Sequence, residues 1–236
     1  LLIYLATKTL NGSLLILASI FSIVPTVVLL CYNIYFFKRV YKEYRPNIHF
    51  VRKTDLKSLF GIGSLFFIIQ IAAIVQFQTA NILIAHWLSP EDVTVYNVCF
   101  KYFSVLTMAF SLIVAPYWSA FTEAYTKLDF IWIKRIVKRT NLIWLFFAFG
   151  GIVGLLISPF IYKVWVGDRV TIPFYLSAIM LVYVLQIRFG SVYVMFVNGT
   201  GKIKTQTITA IISPFIFFLI AFSLTRYGEF GVKGII

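Results

Sequence analysis

The sequence predicts an all-α, polytopic transmembrane helix bundle, and three observations carry that prediction. Apolar residues fill 61% of the 236 positions and charged residues only 12%, with a mean hydropathy of +0.92. A soluble domain is nearer half apolar and a quarter charged. Six windows are long and apolar enough to cross a hydrocarbon core ~30 Å thick, which takes roughly 20 helical residues at about 1.5 Å each. Lysines and arginines collect in alternate connections between those windows, the pattern that orients spanning helices.

The first window, residues 13–37, carries no charge, and the second, 59–88, none beyond that available to His86. The third, 93–121, holds Lys101. Residues 141–162 form an uncharged fourth window, 170–197 a fifth that holds Arg188, and 205–225 an uncharged sixth. Runs this long and continuous exclude the ~10-residue alternating segments of a membrane β-barrel. Pro25, Pro116, Pro159 and Pro214 fall inside or near the ends of windows. Kinks are expected there, since membrane helices tolerate proline when neighbours re-satisfy the freed carbonyl.

The connections give an orientation. Lys38, Arg39, Lys42, Arg45, Arg52, Lys53 and Lys57 follow the first window, Lys127, Lys134, Arg135, Lys138 and Arg139 the third, and Lys202 and Lys204 the fifth. Only Lys8, Lys163, Arg169, Arg226 and Lys233 fall on the opposite side. The basic connections are therefore expected in the cytoplasm. The longest polar stretch, 38–58, reads as a linker between two bundles. Residues 123–139 interleave Ile131, Ile133, Ile136 and Val137 with four basic residues. They read as a helical extension or a helix lying on anionic lipid, or equally as a solvated basic loop.

Several functions are disfavoured. The formal charge of +13 reflects these topogenic loops, so nucleic-acid binding is not expected. Cys31 and Cys99 sit apart in apolar runs and read as small buried hydrophobes, without metal-ligand spacing. The two histidines, His49 and His86, are far apart, and all eight carboxylates lie in loops or at window edges. Gly199-Thr200-Gly201-Lys202 lacks the spacing of a phosphate loop and reads as the glycine end of a helix. No catalytic residues, cofactor motif or metal site is identified. An enzyme is not indicated.

Lys101 and Arg188 are the exceptional residues. A basic side chain at mid-membrane costs about 2.5–3.5 kcal/mol on insertion scales, so it usually faces a partner or an aqueous cavity. Asn97, Lys101, Ser104, Met108 and Ser111 share a helical face, as do Arg188, Ser191, Met195 and Asn198. Gln70, Gln78 and Asn81 lie close to one face of the second window, with Gln76 off it. The candidate site is thus a cationic cavity suited to an anion, formed by Lys101, Arg188, Asn97, Gln70, Gln78 and Asn81. The amides can equally be bundle-holding hydrogen bonds.

Particular stretches carry a resemblance. Pro116 and Trp118-Ser119-Ala120-Phe121-Thr122-Glu123-Ala124-Tyr125, then Asp129 and Ile133-Lys134-Arg135, resemble bacterial polysaccharide-export flippases. So do Val95-Tyr96-Asn97-Val98 with Lys101, Asn198-Gly199-Thr200-Gly201-Lys202, and Gly228-Glu229-Phe230-Gly231-Val232-Lys233-Gly234. Together they span most of residues 59–236 and point to the O-antigen (Wzx-type) flippases. These belong to the multidrug/oligosaccharidyl-lipid/polysaccharide exporter superfamily, whose fold is called MATE-like.

The resemblance implies two six-helix lobes. On that reading the chain is an internal piece covering about helices six to eleven. Residues 1–37 hold the last helix of the first lobe and its lead-in, 38–58 the cytoplasmic inter-lobe linker, and 59–236 the second lobe. It also implies a multi-pass protein of the bacterial inner membrane that moves undecaprenyl-diphosphate-linked oligosaccharide by alternating access. Implied partners are that anionic lipid-linked glycan, membrane lipid and the polysaccharide polymerase machinery, with no cofactor beyond a Na⁺ or H⁺ gradient. Lys101 occupies a position where the family often has a basic residue, whereas Arg188 is proposed only from its depth. A drug/cation antiporter of the same superfamily would need an intramembrane carboxylate, which no window supplies centrally. A membrane enzyme of polysaccharide assembly would favour larger outside loops.

Overall fold

The computed structural model describes residues 14–47 and 52–227, with no strand among them. It resolves into two units, Leu1–Ser58 and Leu59–Ile236. Six spans among the described residues are long and apolar enough to cross a membrane.

In the first unit, α1 covers Leu14–Tyr35. It is apolar on all sides, and Phe21, Leu29 and Leu30 are exposed. A helix without a polar face finds its solvent in lipid. Its polar side chains turn back on their own backbone, Thr26 Oγ1 donating to the Ser22 carbonyl at 2.7 Å and Asn33 Nδ2 to that of Leu29 at 2.9 Å. Cys31, expected to be buried, is exposed. A π-turn at Phe36–Val40 and a 3-10 turn at Lys42–Tyr44 end the helix. There Phe36 stacks between Tyr32 and Tyr41, beside Lys38 and Arg39. Rings and basic residues together suit a membrane interface.

The second unit contains the body of α2 (Lys53–Trp87), then α3 (Pro90–Val114), α4 (Tyr117–Thr126), α5 (Phe130–Val166), α6 (Phe174–Thr200) and α7 (Lys204–Tyr227). Local chemistry sets the ends. Ser89 caps α3 by accepting from the Asp92 N–H at 3.1 Å, with Pro90 in the first turn and Glu91 and Asp92 facing the positive end of the helix dipole. Asp129 caps α5 by accepting from the Trp132 N–H at 2.9 Å. Gly201 ends α6 at φ +71°, a left-handed position that glycine reaches without steric penalty. The Gly-Thr-Gly-Lys run is therefore a helix terminus.

Two prolines act differently. At Pro116 the chain divides α3 from α4, so the third window forms two helices within a single span, Pro90–Thr126. Pro159 stays inside α5. It leaves the Leu155 carbonyl without its usual amide donor, and Ser158 Oγ supplies the bond at 2.8 Å.

Residues 123–139 are helical apart from the Lys127–Asp129 turn, where Leu128 adopts φ 58°. Lys127 donates to the Glu123 carboxylate. That bond and the attraction between the charges hold the Lys127 pKa above the ordinary lysine value. The 37 residues of α5 extend about 55 Å, well beyond the ~30 Å hydrocarbon layer. Its basic first turns thus project past the membrane core, where Ile133 joins a cluster with Phe121, Ala124 and Val192.

α6 is the hub, packing on α3, α4 and α5. The main core joins Leu83 and Ile84 of α2, Cys99 and Phe103 of α3, Met180 and Val184 of α6, and Ala221 of α7. Lipid tails are as apolar as these side chains, so the bundle is held by close packing and interhelical hydrogen bonds. Two glycines allow the closest approaches. A Cβ on Gly151 would stand 2.6 Å from Leu181 Cδ1, and one on Gly199 3.0 Å from both Phe121 Cβ and the Trp118 carbonyl. Buried Cys99, Tyr162 and Ser177 join α3, α5 and α6, with Tyr162 Oη and Ser177 Oγ 3.1 Å apart. Much of the outward surface is apolar, with Phe146 and Phe215 among the most exposed side chains.

Candidate functional site

Arg188 lies at the middle of α6, about 18 Å from its last residue. It is half-buried, and its Nη1 donates to Ser111 Oγ of α3 at 3.1 Å. Its buried Nε has no protein partner. Ser111 also donates to the Thr107 carbonyl at 2.7 Å, so its hydroxyl does not depend on the arginine. A guanidinium carries five donors, and one side-chain acceptor leaves most of that capacity open. The expected Arg188, Ser191, Met195 and Asn198 face divides. Ser191 Oγ returns to the Arg188 carbonyl, and Met195 packs against the Phe121 cluster.

Lys101 is placed differently. It is exposed, on the stripe of α3 that also carries Val105, Met108 and Leu112. Ten residues separate it from Ser111, about 15 Å of helix. Lys101 and Arg188 therefore lie apart, in different surroundings. Gln70 and Gln78 are likewise exposed, on α2. Asn97 donates to Asn81 Oδ1 at 2.9 Å and to the Val93 carbonyl at 2.8 Å. Asn81 Nδ2 donates to the Phe77 carbonyl at 3.2 Å. The Asn97–Asn81 bond links α2 to α3, and three of the pair's four amide N–H donors are engaged.

A cavity of about 610 Å³, mostly apolar but with four polar side chains in its lining, opens between α2, α3, α6 and α7. Gln76, Gln186, Tyr96 and Tyr183 line it, with Phe77, Phe217 and the small residues Ala73, Ala80 and Gly190. Gln76 Oε1 accepts from Ser213 Oγ of α7 at 3.1 Å. Amides, phenols and aromatic faces without a carboxylate suit a neutral, hydroxyl-rich ligand. Sequence reasoning set Gln76 aside because it lies off the Gln70–Gln78 face, and it did not select Gln186, Tyr96 or Tyr183. The available signal was the i, i+3 pairing of Tyr183 with Gln186 on the helix that carries Arg188.

No group of His, Cys, Asp and Glu able to hold a metal occurs among the described residues. A second groove, apolar and with two lysines along it, lies between α5 and α6.

Residues 6–144 match the family described as polysaccharide biosynthesis protein. A Yersinia pseudotuberculosis protein named "Putative O-antigen export protein" is 24% identical over 164 residues, covering 66% of this chain and 36% of that protein. The chain thus spans little more than a third of the length of that curated relative. No solved structure matches. With six apolar spans and over half its length matched, the chain belongs to the polysaccharide biosynthesis protein family, as a multi-pass membrane protein.

Proposed function

We propose that this chain is the working part of a flippase that carries undecaprenyl-diphosphate-linked oligosaccharide across the bacterial inner membrane by alternating access. Arg188 is the observation that carries the reading. A mid-membrane cation bound to the bundle through one serine, without a carboxylate partner among the described residues, suits an anionic substrate. The diphosphate is that anion, and the neighbouring cavity of amides and phenols suits the sugar hydroxyls. Lys101, Gln70 and Gln78 lie on exposed faces of α3 and α2. Polar groups so placed belong beside water or protein rather than lipid, and they extend the hydrophilic path. The family and the export role in the relative's name support the same substrate class. The orientation expected from the basic connections supports a pathway that takes up its substrate on the cytoplasmic side.

Cells lacking the protein should accumulate lipid-linked oligosaccharide on the cytoplasmic leaflet and lose surface polysaccharide. Normal surface glycan without that accumulation would overturn the proposal.

A further inference from the structure

We infer that the groove between α5 and α6 is a binding site for one anionic phospholipid of the leaflet that faces the basic connections. The groove has a volume of about 630 Å³ and runs from Ile133 to Leu145 along α5, about 18 Å of helix. Its walls are apolar: Val137, Leu142 and Leu145 of α5 face Phe189 and Phe196 of α6. Polar tips along it are already engaged. Trp144 Nε1 donates to the Leu185 carbonyl at 2.9 Å, and Asn141 Nδ2 to Tyr193 Oη at 3.2 Å. These bonds tie the two helices together and pre-form the groove.

Lys134 stands near one end of the groove and Lys138 one turn further along it, and both are exposed. No described carboxylate lies within ion-pair distance of either, since Glu123 is taken by Lys127. The site therefore presents two cations beside an apolar slot. That complements a phosphate headgroup above an acyl chain, at the depth where α5 leaves the membrane core. Basic clusters on this side of a membrane meet the negative surface potential of anionic lipid.

Charge and shape select the occupant: two lysines with no described carboxylate beside them match an anionic headgroup, and about 18 Å of apolar wall matches an acyl chain. The assignment is independent of what the protein transports.

Native mass spectrometry of the purified protein with phosphatidylglycerol, phosphatidylethanolamine or soluble glycerol phosphate tests it. The expected result is one retained phosphatidylglycerol per chain, at least threefold preferred over phosphatidylethanolamine. The preference should vanish in Lys134→Gln/Lys138→Gln, while Val137→Trp should lower retention of both lipids by filling the slot. Equal retention of the two lipids by the unaltered protein, or an unchanged preference in the double variant, overturns the inference. So does glycerol phosphate binding as tightly as the lipid, which would make the site a plain anion site. Retention of a polyprenyl phosphate in place of phosphatidylglycerol overturns it as well.

Discussion

Replacing Arg188 with methionine separates a functional arginine from a structural one. The substitution removes one hydrogen bond, to Ser111 at 3.1 Å. Interhelical bonds in membranes contribute about 0.6 kcal/mol on average and up to about 1.7. It also removes a mid-membrane cation, whose placement costs about 2.5–3.5 kcal/mol. Ser111 keeps its bond to the Thr107 carbonyl, so no orphaned hydroxyl is created. The insertion cost is carried by folded and unfolded chains alike, so the change in folding stability is limited to the one lost bond, about 0.6 kcal/mol, offset by removal of the unpartnered buried Nε. Arg188→Met should thus unfold close to the temperature of the unaltered protein, while export of surface polysaccharide collapses. Thermal unfolding in detergent and a surface-glycan assay read the two quantities. A variant that loses about 1 kcal/mol or more of stability would refute the reasoning, because the arginine would then be holding the bundle. Full export by the variant would refute it from the other side.

Three other outcomes are expected. Gly199→Leu should disrupt the α4–α6 contact, since even a Cβ there meets backbone at 3.0 Å; loss of folded protein on size exclusion checks it, and normal yield would contradict the packing. At the turns, Leu128→Gly should stabilise and Gly201→Ala destabilise, each by about 1 kcal/mol, because both positions hold positive φ; opposite shifts in thermal unfolding would count against these backbone assignments. Asn81→Leu and Asn97→Leu should be non-additive by about 0.5–1.5 kcal/mol in a double-mutant cycle, as their amides bond directly; strict additivity would mean the bond contributes nothing.

Most of the fold was legible in the sequence because lipid imposes a simple rule: a spanning helix must be long, apolar and internally hydrogen-bonded. All six windows correspond to spanning helices. Boundaries were less legible. The fourth window, 141–162, is the middle of α5, whose first turns are basic yet helical because Ile133, Ile136 and Val137 pack toward α6. A hydropathy window stops at the first charge, whereas the helix continues as long as one face has a partner. At Pro116 the sequence predicts a kink and the structure divides the helix, because whether a proline kinks or divides a helix depends on its neighbours. Beside Pro159, Ser158 supplies the replacement bond and the helix continues.

The candidate site was legible in part. Depth singled out Arg188, which the structure bonds to Ser111 of α3, because charge at mid-membrane is costly wherever it points. Helical periodicity alone could not say which faces are inward. Lys101 shares a stripe with Ser111, yet it is exposed where Ser111 is half-buried. Gln76 lay outside the selected face and lines the cavity, while Gln78 was selected and is exposed. Which glutamine turns inward is decided by α7, through Ser213, and a contact 137 residues away in the chain leaves no local mark.

The account's central claim is transbilayer movement of a lipid-linked glycan through a site that includes Arg188. The most direct measurement reconstitutes the protein into vesicles with undecaprenyl-diphosphate-linked oligosaccharide and follows which leaflet the sugar occupies. The account predicts that the sugar becomes accessible from the opposite side with the unaltered protein and stays where it began with Arg188→Met. Movement no faster than in protein-free vesicles, with the protein folded and inserted, would contradict it.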